Sequence, residues 1–133
     1  MASVLADTHT ILWYLTSNTR ISRAATDALD ATTASGEPIY ISAITLVEIR
    51  YLVEKGRLSP DDQQIILAAI DAPGTPIRLA PVDRNVAAAL EQVPREEVPD
   101  MPDRIIAATA LALGVPLLSR DGKIRASRVL TIW

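Results

Sequence analysis

The chain has 133 residues, of which 49% are hydrophobic and 22% charged, a profile that excludes a disordered chain and favours one folded domain over residues 1–133. It contains no cysteine and one histidine, His9, which excludes a disulfide framework, a thiolate zinc site and a histidine-rich metal site. The net charge of −3 argues against a protein that grips nucleic acid through a broad basic surface.

The first part of the chain has the pattern of one strand followed by two helices. Residues 3–6 form a short apolar run that ends at Asp7, and residues 8–16 have the apolar spacing of a helix. We predict a second helix over residues 22–33, with Ser22 as its N-cap. The residues of this helix predicted to face the core are Ala24, Ala25, Ala28 and Leu29.

The central part repeats the alternation of strand and helix. A β-rich segment over residues 39–41 precedes a strongly helical stretch over residues 43–55. Residues 59–72 begin with serine, proline and two acids, which predicts another helix. Residues 76–82 then predict a third strand, and residues 83–93 a further helix.

The last part starts with an irregular connection over residues 94–102, which holds three prolines. We predict a helix over residues 103–113, ended by a glycine, and a buried strand over residues 115–118. A turn at Asp121, a short helix and a last strand over residues 129–133 complete the chain.

Strands that alternate with helices predict an α/β fold with a mainly parallel sheet of about four to five strands and helices on both faces. Ligands of such sheets bind at the carboxyl ends of the strands. No apolar run reaches about 18 residues, and an acid at position 7 interrupts any signal-peptide core, so we expect a cytoplasmic protein without a membrane segment.

Four separated acids are predicted to lie at this edge of the sheet. Asp7 follows the first strand, Asp121 follows the fourth, and Asp103 begins the alanine-rich helix. Each of these three has an alternative interpretation, as a helix N-cap or a turn residue. Glu48 is harder to explain structurally, because it lies in the middle of a helix on a largely apolar face, and burying an unpaired carboxylate costs several kcal/mol.

Carboxylates gathered in one crevice repel each other unless a cation lies among them. Ligands that are all oxygen suit Mg²⁺ or Mn²⁺ better than zinc, and magnesium held by carboxylates usually also contacts phosphate. The pattern therefore favours hydrolysis of phosphodiesters by metal-activated water, with one or two ions.

The motifs around these acids resemble those of PIN-domain ribonucleases, in particular the toxins of VapBC-type toxin–antitoxin pairs. The similar segments are residues 5–9, residues 41–45 with Glu48, residues 100–104 and residues 118–121. The resemblance implies a PIN-like three-layer α/β/α fold and an Mg²⁺- or Mn²⁺-dependent endonuclease that cuts RNA. It does not indicate which RNA.

The resemblance also assigns roles to residues. It implies that Asp7, Glu48, Asp103 and Asp121 bind the metal and support cleavage, with Asp7 and Asp103 as the main direct ligands. Supporting residues would be Thr8, Ser42, Asp100, Arg104 and Ser119. Met101 and Pro102 depart from the family pattern, which leaves the part of Asp100 open. The cluster of Arg120, Lys123, Arg125 and Arg128 would supply phosphate contacts, of which the first three are the candidates we retain.

Family members of this type form homodimers and are held inactive by a cognate antitoxin, so the resemblance implies both partners. The apolar content of residues 8–15 and 44–53 is compatible with a groove for an antitoxin helix, lined by Trp13 and Tyr51. The alternative is that both segments fill the core.

Two rival enzyme classes lack their motifs. A haloacid-dehalogenase-type phosphatase needs Asp-x-Asp after the first strand, and a nucleotide-binding domain needs a glycine-rich loop. A catalytically inactive PIN-like binding module stays open as the alternative function, although such a module has no use for the carboxylate of Glu48.

Overall fold

In the computed structural model, which describes residues 3–133, five β-strands alternate with seven α-helices and one 3₁₀ turn. The strands are β1 (Val4–Ala6), β2 (Ile39–Ser42), β3 (Ile77–Ala80), β4 (Leu117–Leu118) and β5 (Thr131–Ile132). The helices are α1 (Thr8–Leu15), α2 (Arg23–Ala34), α3 (Ala43–Glu54), α4 (Pro60–Asp71), α5 (Arg84–Ala89), α6 (Met101–Leu113) and α7 (Gly122–Arg125), with the 3₁₀ turn at Leu90–Gln92. The first two residues of the predicted domain lie outside the described part. None of the helices in residues 3–133 is long and apolar enough to span a membrane.

The five strands form one sheet in the order β3-β2-β1-β4-β5, and every neighbouring pair is parallel. This confirms the predicted parallel sheet. The chain first builds outward from β1 through β2 to β3, and it then crosses to the other side of β1 to add β4 and β5. The direction of winding therefore reverses between β1 and β4, which opens a crevice at the carboxyl ends of these two strands.

Alternating side chains of the strands divide the apolar interior into two cores, one on each face of the sheet. Val4 and Ala6 of β1 face a core that contains Ile11 of α1 and Ile66 of α4. Leu5, between them, faces the opposite core, which is built by α5, α6 and α7. Helices thus cover both faces, and the predicted three-layer α/β/α arrangement is confirmed.

The helix α2 begins where the sequence predicted, because the Ser22 hydroxyl accepts a hydrogen bond from the Ala25 N–H at 3.1 Å. The prediction that Ala24 faces the core is wrong, since Ala24 is exposed. The buried stripe of this helix is completed instead by Thr32, four residues after Ala28.

The helix α6 begins earlier than predicted. Its N-cap is Asp100, whose Oδ2 accepts a hydrogen bond from the Asp103 N–H at 3.1 Å. Pro102 fits the first turn because its missing N–H has no partner there in any helix. Asp103 is therefore not the cap. It lies within the first turn, so its carboxylate is free for another role.

Candidate metal centre

A cleft of about 370 Å³ lies at the carboxyl edge of the sheet. All four acids singled out from the sequence line it, together with a fifth. The acidic lining residues are Asp7, Glu48, Asp100, Asp103 and Asp121, and the others are Thr8, His9, Thr10, Trp13, Arg20 and Arg120. The fold therefore brings five carboxylates from four separate segments of the chain into one concave site.

Asp7 and Asp121 are each fixed by the helix that follows them. Asp7 Oδ1 accepts a hydrogen bond from the Thr10 N–H at 3.0 Å and so caps α1. Asp121 Oδ1 accepts from the backbone N–H groups of Lys123 at 3.0 Å and Ile124 at 2.9 Å and so caps α7. Within residues 3–133, no hydrogen bond reaches the second oxygen of either carboxylate. Each aspartate is thus a cap through one oxygen and can bind a ligand through the other.

Glu48 is positioned by a residue that lies 40 positions earlier in the chain. The Thr8 hydroxyl donates to Glu48 Oε1 at 2.6 Å and lies 3.1 Å from the hydroxyl oxygen of Thr45. Both threonines are buried. The contact fixes the half-buried carboxylate at the cleft, which agrees with the supporting role predicted for Thr8.

Three of the carboxylates form a tighter group. One oxygen from each of Glu48, Asp100 and Asp103 lies within 4.8 Å of the other two. Asp7 and Asp121 line the same cleft but lie outside this group. The structure thus places Asp100, whose part the sequence left open, beside Glu48 and Asp103, whereas Asp7 is not in this group.

Charge repulsion in the cleft is strongest at Asp103. Burial is the largest cause that raises the pKa of this carboxyl to about 7, and the neighbouring charges of Asp100, Asp121, Glu48 and Asp7 contribute the rest, in that order of importance. The salt bridges found in residues 3–133 join Arg23 to Asp27 and Arg50 to Glu54, and none reaches an acid of the cleft. The acids of the cleft therefore have no salt-bridge partner in the described part of the chain, although Arg20 and Arg120 line the same cleft.

Two predicted supporting residues lie away from the cleft. The prediction for Arg104 as a site residue is wrong in position, because its guanidinium donates to the carbonyl oxygens of Val93 at 2.7 Å and Leu90 at 3.0 Å and braces the segment before α6. The fully buried Ser42 is the N-cap of α3, where its hydroxyl accepts from the Ile44 N–H at 3.2 Å.

Ser119 acts next to the site without lining it. Its buried hydroxyl accepts a hydrogen bond from the Asp121 N–H at 3.1 Å, which fixes the turn that carries this acid. Two further residues at the site were not predicted from the sequence. Thr45 lies behind Glu48, and Arg20 lines the cleft from the loop between α1 and α2.

The residues predicted for phosphate and antitoxin contacts differ in their exposure and in whether they line the cleft. Arg120 lines the cleft, whereas Arg125 is exposed and lines no part of it. Trp13 is only 8% exposed, so it does not present a free surface to a partner helix. Tyr51 is 62% exposed and lies near Val47, which is 51% exposed, one turn earlier on α3.

Comparisons with known proteins identify the relatives of this arrangement. A family profile described as PIN domain matches residues 4–129. The chain is 27% identical to Ribonuclease VapC22 of Mycobacterium tuberculosis over 136 aligned residues, which cover 100% of both chains. The fold is similar to that of VapBC2 from Rickettsia felis, solved bound to a promoter DNA fragment, with a TM-score of 0.71 at 16% identity over 97% of this chain and 96% of that chain. It is also similar to a toxin–antitoxin complex from Klebsiella pneumoniae, with a TM-score of 0.66 at 22% identity over 98% and 96% of the two chains.

The burial of the Asp103 carboxylate and its repulsion by the neighbouring acids predict that Asp103→Asn stabilises the metal-free protein. This carboxyl loses its proton at about pH 4 when unfolded, but it keeps the proton to about pH 7 when folded. The free energy of unfolding therefore falls as the pH rises through this window. Above the window, the ionised carboxylate of Asp103 destabilises the folded state by its full amount. One pKa unit corresponds to about 1.4 kcal/mol, but solvent screens this half-buried charge, so we expect a gain of about 1–2 kcal/mol at about pH 8.

The measurement is the free energy of unfolding in urea with a chelator present, at about pH 8 and again at about pH 4, where the gain should vanish. Glu96→Gln, at an exposed acid outside the cleft, is the matched control and should change little at either pH. An equal gain from Asp103→Asn at both pH values would show that the charge of the Asp103 carboxylate is not the cause of the gain in stability.

Proposed function

The chain belongs to the PIN-domain family, and on this premise we propose that it is an Mg²⁺- or Mn²⁺-dependent ribonuclease that acts as the toxin of a toxin–antitoxin pair. The observation that carries the proposal is the group formed by Glu48, Asp100 and Asp103, whose oxygens lie within 4.8 Å of one another and which no salt bridge of the described residues reaches. The relative named Ribonuclease VapC22, which aligns over the full length of this chain, supports the same activity.

The residues of the group suit a hard divalent cation. They offer oxygen ligands only, which favours Mg²⁺ or Mn²⁺. Oxygens that share an Mg²⁺ ion at about 2.1 Å lie at most about 4.2 Å apart. The three carboxylates would therefore need to approach one another by a few tenths of an ångström, a change within the reach of side-chain rotation. A bound cation would also remove the repulsion that raises the pKa of Asp103.

A divalent cation in this position supplies charge that makes water more acidic and offsets the negative charge of a phosphate. Hydrolysis forms a bond between a water oxygen and phosphorus and breaks the bond from phosphorus to a ribose oxygen. The water gives up a proton, and the leaving oxygen takes one. Asp7 and Asp121 line the cleft, and each has one oxygen outside its capping bonds, so either can accept the proton of the water.

Thr8 supports the site by orienting Glu48. Its hydroxyl donates to Oε1, so Oε2 is the oxygen that remains for a ligand. A fixed carboxylate loses less entropy on binding an ion than one that rotates freely, and partners of this kind contribute about 10- to 100-fold to metal affinity or activity.

The alternative function, an inactive binding module of the same fold, is less well supported. A module without metal or substrate would keep a carboxylate at Asp103 that destabilises the folded state and would use Thr8 to hold Glu48 for no purpose. Exchanging Asp103 for asparagine would only have stabilised such a protein.

The proposed regulation is inhibition by a cognate antitoxin, and the proposed assembly of the toxin is a homodimer. The fold of a toxin–antitoxin complex from Klebsiella pneumoniae, which is similar over 98% of this chain, supports the antitoxin. The exposed apolar side chains of Val47 and Tyr51 on α3 are available for such contacts.

The purified protein should cut RNA in the presence of Mg²⁺ or Mn²⁺ and should lose this activity in a chelator. Glu48→Gln and Asp103→Asn should lower the cleavage rate by at least about 100-fold, and Thr8→Val by about 10-fold. Gel analysis of a labelled RNA measures these rates, with Glu96→Gln as the control of unchanged activity. Cleavage that persists in Asp103→Asn would contradict the assignment of the site, and no cleavage by the wild type with either ion would contradict the enzyme.

Expression of the wild type in a bacterial host that lacks the antitoxin should arrest growth, because uncontrolled RNA cleavage stops protein synthesis. Asp103→Asn, produced at the same level, should leave growth unchanged. Growth curves after induction measure the effect, with immunoblots to match protein levels. Equal arrest by the wild type and by Asp103→Asn would show that toxicity does not come from the acidic cleft.

A further inference from the structure

A second hollow of about 400 Å³ adjoins the cleft on the side of α7. Asp100, Asp103 and Asp121 line both the cleft and this hollow, so these three acids form the boundary between the two. The far side of the hollow is lined by Pro99 and Lys123. The three shared acids therefore do not close one end of a pocket. They lie in the middle of a longer depression that the cleft and the hollow form together.

Each half of this depression is lined by cations that the other half lacks, with Arg20 and Arg120 in the cleft and Lys123 in the hollow. Arg120 lines the cleft but not the hollow, and Lys123 lines the hollow but not the cleft. Both side chains are exposed, and neither is paired with an acid within 4 Å among the salt bridges of the described part. Both are therefore available to an anionic ligand, one on each side of the three shared acids.

Arg120 is held by an aromatic ring and not by the acids that share its cleft. Its guanidinium carbon lies 4.8 Å from the centre of the Trp13 ring. Trp13 is itself fixed by Trp133, with ring centres 6.0 Å apart, and by His9, at 5.7 Å. A guanidinium stacked on a ring keeps its N–H donors free in its own plane. The stacking thus leaves the carboxylates open to a cation and the guanidinium open to a phosphate.

We propose that one RNA strand crosses the three shared acids, with a phosphate on one side of the cut bound by Arg120 and a phosphate on the other side bound by Lys123. This proposal rests on the ribonuclease function above and adds the path of the substrate. An ion held by Glu48, Asp100 and Asp103, of which the last two are shared acids, would contact the phosphate between these two. The enzyme would then need nucleotides on both sides of the bond that it cuts, and Trp13 would be the positioning residue for Arg120.

The test uses an RNA whose cut position has been mapped and two shortened forms of it. Each form ends one nucleotide beyond the cut on one side, so that the bond to be cut is kept and the next phosphate on that side is removed. For the wild type, removing either flank should lower kcat/KM by about tenfold, the effect of one lost charged contact. Arg120→Ala should lower kcat/KM on the full RNA to the same extent. It should also make removal of one flank nearly without effect, while removal of the other flank still costs about tenfold.

Lys123→Ala should show the mirror image, with the opposite flank becoming dispensable. Arg57 is an exposed cation that lines neither the cleft nor the hollow. Arg57→Ala is therefore the matched control and should leave both flank effects as in the wild type. If Arg120→Ala and Lys123→Ala abolish the effect of removing the same flank, or if neither abolishes any flank effect, the two-sided path is wrong. The proposed ribonuclease activity is not contradicted by that result. If the wild type cuts no RNA, both proposals fail.

The role of Trp13 is tested with Trp13→Phe, which keeps a ring but weakens the cation–π contact. It should raise KM for the full RNA more than it lowers kcat, and it should have no further effect in the Arg120→Ala background. A loss of the same size in both backgrounds would show a merely structural role and would overturn the positioning assignment.

Discussion

Five carboxylates share one cleft, and no lysine or arginine of residues 3–133 forms a salt bridge with any of them. This uncompensated negative charge is the constraint on which the rest of the site depends. Together with burial, which is the larger cause, it raises the pKa of Asp103 to about 7, and it makes the cleft a candidate site for a cation. It also explains the value of stacking Arg120 on Trp13, because a guanidinium that moved into the acids would occupy the place of the ion.

The strand order of the fold itself brings these negative charges together. The reversal of strand order places the ends of β1 and β4 side by side, and the residues that follow these strands cap the next helices. Asp7 and Asp121 each use one oxygen for this cap. Capping and site chemistry, which the sequence presented as alternatives, are therefore compatible in the same side chain. Asp100 repeats the arrangement at α6, where it caps the helix and lies within the tight group.

The sequence was sufficient to predict the parallel sheet, the helices on both faces and the acids that meet at one edge, because strand ends and apolar periodicity are local signals. Contacts between distant segments were not predictable. The hydrogen bond from Thr8 to Glu48 depends on how α1 packs beside α3, and the stacking of Arg120 on Trp13 depends on the loop after β4. Arg104 was misassigned because spacing within a motif does not tell to which side of a helix end a long side chain turns. The part of Asp100 was left open because Met101 and Pro102 depart from the family pattern, yet Asp100 caps α6 and lies in the tight group.

The most direct test of the metal centre is a crystal structure with Mn²⁺, whose anomalous scattering identifies the ion independently of any assay. The account predicts a peak held by oxygens of Glu48, Asp100 and Asp103, with these three carboxylates drawn closer than the 4.8 Å found here. A peak held by Asp7 and Asp121 without Asp100, or a cleft that stays empty at a saturating concentration of Mn²⁺, would contradict it.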